Sequence, residues 1–146
     1  NSDYVFIVIG APFTADPDSG PFEFAQPALE YASNDGNSEV LNHIAFARNA
    51  IDNAGSQTQI VVAVDAGRPS VVNEVLAFGV DGLFIQWGVT TKVFLDVAFG
   101  IVDGTGRLPV GLPASDSAAA SQLEDIAGDG QHATFVEGYG LDLIPF

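Results

Sequence analysis

Apolar positions along this chain follow two patterns. Residues 4–9 and 60–64 are unbroken runs of aliphatic, β-branched and aromatic side chains, the pattern of strands covered on both faces. Residues 81–87 form a third strand segment. Between the first two, Val40, Leu41, Ile44, Ala47, Ile51 and Ala54 fall on one stripe, with Asn42, Arg48, Asn49 and Asp52 opposite. That spacing predicts a helix over 39–54, opened by Asn37 or Ser38 after a turn cluster at 34–38 and closed by Gly55. After the second strand, Gly67 can take a left-handed turn and Pro69 presets a helical φ, so a helix is predicted over 70–78. A further helix is predicted over 90–99. Gly104, Thr105, Gly106, Arg107, Leu108 and Pro109 then turn the chain into a short final strand over 110–112.

The alternation of strand and helix predicts an α/β fold: a mainly parallel sheet with helices on both faces, a three-layer αβα sandwich of flavodoxin-like type. Four strands make a small sheet for that architecture. With the first strand beginning at once, the pattern reads as an incomplete domain whose earlier units are missing.

One connection breaks the economy of the rest. Residues 11–37 carry Pro12, Pro17, Pro21 and Pro27, several Asp and Gly, and only a short patch at 27–32 able to make a helical turn. Strand-to-helix loops usually span about 2–6 residues, so this one is expected to line a site. Beyond Pro113, residues 114–121 have the composition of a surface loop or frayed helix, with a turn to follow at 123–127. Near the end Gly138 and Gly140 flank Tyr139, and with no helix start after them they predict a tight turn rather than a phosphate loop.

The chain has 146 residues, 47% of them hydrophobic and 11 of them Phe, enough apolar material for a core in one domain. Four Lys and Arg stand against 19 Asp and Glu, a net charge of −15. Such a field repels phosphate backbones and anionic lipid, so neither nucleic acid nor membrane is an expected partner. It suits an extracellular or periplasmic setting. The absence of Cys excludes disulfides and thiolate chemistry, and the absence of Met makes Asn1 read as the start of a mature, trimmed or excised segment. No apolar run approaches the roughly 18 residues of a spanning helix.

Candidate chemistry is limited. His43 and His132 lack neighbouring ligands at metal spacing, no Gly-x-Ser-x-Gly elbow is present, and Gly104 and Gly106 lack the third glycine of a dinucleotide loop. No metal and no cofactor is expected. Asp16, Asp18 and Gly20 imitate part of a calcium loop without its terminal acid. Asp16, Asp18 and Glu23 lie in the long loop after the first strand, at the edge where open α/β sheets bind ligands. Paired carboxylates there suit glycoside hydrolysis, although composition does not single out a pair. Arg68 and Arg107 sit in turns, where they are expected to satisfy carbonyls and carboxylates such as Asp65 or Asp103. Trp87, at a strand end, either stacks on a sugar ring or packs beneath a loop.

Read in order, Gly67, Arg68 and Pro69, then Asp81, Gly82 and Leu83, Trp87, Asp96 to Gly100, Gly106, Arg107, Leu108 and Pro109, and finally Gly138, Tyr139, Gly140 and Leu141 resemble the C-terminal α/β-sandwich domain of family 3 glycoside hydrolases, the β-glucosidases and exo-β-glucanases. The resemblance implies that the nucleophilic aspartate belongs to a separate N-terminal barrel domain, and that this domain lends a general-acid glutamate from the loop after the first strand. Matched on Pro12, Phe13 and Thr14, that glutamate falls at Ala15. Asp16 is its neighbour and Glu23 lies further along. The implied ligand is a β-glucoside or β-glucan, and the implied partner is the barrel of a longer parent or other copies of the chain.

Overall fold

A computed structural model describes residues 3–12, 29–33, 35–123, 126, 129 and 132–141. Its centre is a parallel sheet of three strands in chain order: β1 (Tyr4–Gly10), β2 (Gln59–Asp65) and β3 (Gly82–Gln86). Ile9 pairs with Val64 and Val64 with Ile85, so the last full rung runs Gly10, Asp65, Gln86. Successive side chains on a strand point to opposite faces, and the two faces are built differently.

On the first face Ile9, Ile60, Val62 and Val64 pack against Ile44 and Ile51 of α1 (Asp35–Ala54) and Val75 of α2 (Asn73–Leu76). Two crossovers in the same direction place both helices on that side. Each aliphatic side chain fully withdrawn from water there contributes about 1.5–3 kcal/mol. The predicted stripe of α1 holds from Val40 to Ile51, whereas Ala54 is exposed. The helix begins at Asp35, so Asn37 and Ser38 lie inside it rather than capping it. At its other end Gly55, at φ 57°, closes a Schellman turn through Gly55 N to Asp52 O and Ser56 N to Ile51 O.

The second face carries Phe6 and Phe84, which meet Phe94 of α3 (Thr91–Ala98) edge-on at 6.2 and 5.3 Å. The fold is therefore α/β, with helices on both faces of a parallel sheet. Thr90 opens α3 by accepting from Val93 N at 3.4 Å, and Gly100 follows its end with φ 67°.

Two expectations need correction. The helix predicted over 70–78 shrinks to the single turn of α2, because Ser70, Val71 and Val72 are buried in non-helical conformation and Val71 N is spent on Leu29 O at 2.9 Å. The final strand does not extend the parallel sheet. β4 (Leu112–Pro113) pairs antiparallel with β5 (Ala133–Phe135), after α4 (Asp116–Ala120) has intervened. A proline in β4 leaves it one backbone donor short, which fits a two-residue ladder rather than a central strand.

Candidate functional site

The carboxyl ends of the three strands gather the chemistry. β1 ends in Gly10, Ala11 and Pro12, β2 in Asp65 to Pro69, and β3 in Gln86 to Thr90. Ala11 N donates to Asp65 O at 3.0 Å and Ala66 N to Gln86 O at 2.7 Å, which locks the three exits together. A Cβ added at Gly10, Gly67 or Gly88 would meet no atom within 4 Å, so the backbone here borders open space.

Both stems of the long connection are tied to this edge. Arg68 donates to Pro12 O at 2.6 Å, and the Tyr31 hydroxyl donates to Gly10 O at 3.0 Å. Glu74 accepts from Tyr31 N and, at 2.8 Å, from Ala32 N, satisfying the amides that open the 3-10 turn at Tyr31–Ser33. Leu29 N donates to Asp116 Oδ1 at 2.7 Å, and Asp116 N donates back to Glu30 Oε1 at 2.9 Å. Tyr31 is completely buried. Burial, with the Glu74 carboxylate adding to it, pushes its phenol well above the usual tyrosine range. Burial also lowers the Arg68 guanidinium, an effect that nearby Asp116 opposes.

Apart from Arg68, whose turn position predicts a bond to a carbonyl, these tying residues carry no mark in the sequence. Their partners lie 21 to 87 residues away, and no local spacing announces such bonds. The predicted carboxylates Asp16, Asp18 and Glu23, with Ala15, lie outside the described residues. Trp87 directly follows β3 and is 37% exposed. Of the motif residues, Gly67, Arg68 and Pro69 form the exit of β2.

Gly106, Arg107, Pro109, Gly138, Tyr139 and Gly140 belong to a different construction. Leu108 N donates to Tyr139 O and Gly138 N to Leu108 O, both at 2.9 Å, so the two turns clasp each other. Gly138 takes φ 78°, and a Cβ on Gly140 would stand 2.5 Å from Gly106 O, so only glycine fits there. Arg107 donates to the carbonyls of Thr105 and Gly106 at 3.2 Å each, and the Tyr139 ring lies 4.7 Å from that of Phe135. His43 lies exposed on α1, and His132 is exposed beside β5. Among the described residues no group of three His, Asp or Glu side chains could hold a metal ion, and no helix is long and apolar enough to cross a membrane.

Two cavities are lined by described residues. One of about 250 Å³ lies between α4 and His132. The other, about 420 Å³, is bordered by Asp3, Tyr4 and Gly55 to Gln59 at the amino ends of β1 and β2. Parallel sheets gather ligands at their carboxyl ends, and the hydroxyls of Ser56 and Thr58 already bind each other at 2.7 Å, so the second cavity is a turn lining rather than a reactive cleft.

Comparison with curated proteins finds relatives along nearly the whole chain. The probable β-glucosidase C of Aspergillus flavus is 31% identical over 140 residues, which cover 96% of this chain and 20% of that protein. The chain is related to a segment of fungal β-glucosidases. β-Glucosidase C of Emericella nidulans gives 30% identity over 141 residues, 97% of this chain and 21% of that protein. The chain thus spans about a fifth of the length of these β-glucosidases. No family model and no solved structure matches it.

Proposed function

We propose that the chain serves as the α/β-sandwich domain of a β-glucosidase-type glycoside hydrolase acting on β-linked glucosides. The supporting observation is the similarity to β-glucosidase C along 96% of its length. In this reading the nucleophile belongs to a separate barrel domain, and the connection between the stems at Pro12 and Leu29 supplies this chain's acids. Asp16, Asp18 and Glu23 are the acids of that loop. The position at which the resemblance implies the general acid is Ala15, whose methyl group has no proton to give. The isolated chain is inactive. Its partners are the barrel of a longer parent or other copies of itself, its ligand is a β-glucoside or β-glucan, and it works outside the cytoplasm.

Release of nitrophenol from an aryl β-glucoside by the purified chain tests this directly. No turnover is expected. Turnover that Asp16→Asn abolishes would overturn the assignment of inactivity and make Asp16 the acid. Ala15 also favours a second reading, a non-catalytic carbohydrate-binding or assembly module of the same fold. Saturable glucan binding without turnover by both the chain and its longer parent supports that module, whereas turnover by the parent alone supports the enzyme domain.

A further inference from the structure

The last rung of the sheet holds three residues on one face. Ile9, Val64 and Ile85 point into the α1 side, so Gly10, Asp65 and Gln86 point to the α3 side. Neighbouring strands lie about 5 Å apart, which places the Asp65 and Gln86 side chains next to each other and leaves the place beside them, over Gly10, without a side chain. Asp65 is exposed. The Gln86 Oε1 atom is buried without a hydrogen-bond partner.

A buried acceptor left unpaired works against folding and calls for a reason, of which a ligand-binding role is one. The Gln86 side chain as a whole is only partly buried. The terminal torsion of an amide is broad, so its oxygen and its NH2 group can exchange places. A carboxylate and an amide side by side accept from and donate to adjacent hydroxyl groups. Trp87 is next in the chain, just past the end of β3, and is more than a third exposed, with an indole of the kind that covers a sugar face. At −15 overall, the chain does not favour an anionic ligand here.

We infer that Asp65 and Gln86, joined by Trp87 from the exit of β3, form a subsite for a neutral sugar at the carboxyl end of the sheet. This rests on the β-glucosidase reading for the choice of a sugar over another polyol, and it adds to that reading a set of contacts outside the long loop. The Asp65 oxygens accept from two neighbouring hydroxyls, and the Gln86 amide holds a third.

Trp87 is the single tryptophan of the chain, so its fluorescence reports on this place alone. The test is titration of the full chain with cellobiose, followed by Trp87 emission and in parallel by calorimetry. A saturable emission change is expected, with the dissociation constant raised at least tenfold in Asp65→Asn and in Gln86→Leu. Gln86→Leu removes an unpaired acceptor, so its melting temperature is expected to rise while its affinity falls; a purely structural role would move only the first. Gly10→Val, which fills the open place without touching either partner, weakens binding as well. Calorimetric binding that leaves Trp87 silent, or that survives both variants, overturns the subsite while the β-glucosidase reading stands. Choline serves as a cationic probe, and binding as tight as that of cellobiose overturns the sugar assignment. Absence of any cellobiose signal, by heat or by emission, overturns the subsite, and the parent's hydrolytic activity then judges the broader reading separately.

Discussion

The two faces of the central sheet show how one small fold joins a closed side to an open one. The α1 face is aliphatic and shut: Ile44, Ile60, Val62 and Val64 have no exposure at all. The α3 face is aromatic and half open, with Tyr4 at 49%, Val8 at 53% and Phe99 at 55% exposure despite the Phe6, Phe84 and Phe94 contacts at its middle. Burial on the first face holds the strands in register, and the register carries Asp65 and Gln86 to the edge of the second. An interior packed without gaps has no room for a ligand. The open face keeps that room at a cost in stability.

Several substitutions should separate the faces. Ile44→Ala on the closed face is expected to lower unfolding free energy by about 2–5 kcal/mol, the range for a large-to-small change at a fully buried site, as measured by urea denaturation. A loss under 1 kcal/mol would mean that α1 is not the main support of the sheet. Tyr31→Phe deprives the Gly10 carbonyl of its donor and should cost about 1–3 kcal/mol. Its pH signature is more specific. The unfolded chain gives up the phenolic proton near pH 10, while the folded chain holds it to higher pH, so the native state binds more protons there. The contribution is complete below about pH 10 and is lost as pH rises further. Wild-type stability should therefore fall in that range by an amount that Tyr31→Phe removes, and equal slopes in the two proteins would contradict the assignment.

Effects on the open face should be smaller. Phe99→Ala removes a ring that lies 5.0 Å from Phe6 but is mostly in water, and about 1 kcal/mol is expected from thermal unfolding. A cost equal to that of Ile44→Ala would close the distinction between the faces. Smallest of all, Lys92→Gln breaks the ion pair with Asp96 on α3, whose lysine is 81% exposed. At most about 0.5 kcal/mol should be lost, and the difference should vanish in high salt.

Much of this fold was legible in the sequence because its signals are local. The runs at 4–9, 60–64 and 81–87, the stripe from Val40 to Ile51 and the glycine at 55 are each readable within one element, and they yielded the three parallel strands and the end of α1 almost to the residue, although α1 begins at Asp35, four residues before the predicted start. Where the prediction failed, a distant partner had intervened. Residues 70–72 stay out of the helix because Leu29 takes the Val71 amide, and Leu112 turns away from the parallel sheet to pair with Phe135. The site was less readable for the same reason. Trp87 and Arg68 stood out by type, but Tyr31, Glu74 and Asp116 become stem ties only through bonds spanning 43 and 87 residues, and Gln86 gains meaning only once its rung with Asp65 is known.

The proposed sugar site lies at the carboxyl ends of the strands and not at the larger cavity on the opposite edge. An amide chemical-shift map of the chain titrated with cellobiose decides between them. Perturbations should gather at Ala11, Asp65 to Arg68 and Gln86 to Val89, with the indole resonance of Trp87 among the most shifted. Perturbations centred instead on Asp3, Tyr4 and Gly55 to Gln59 would contradict it.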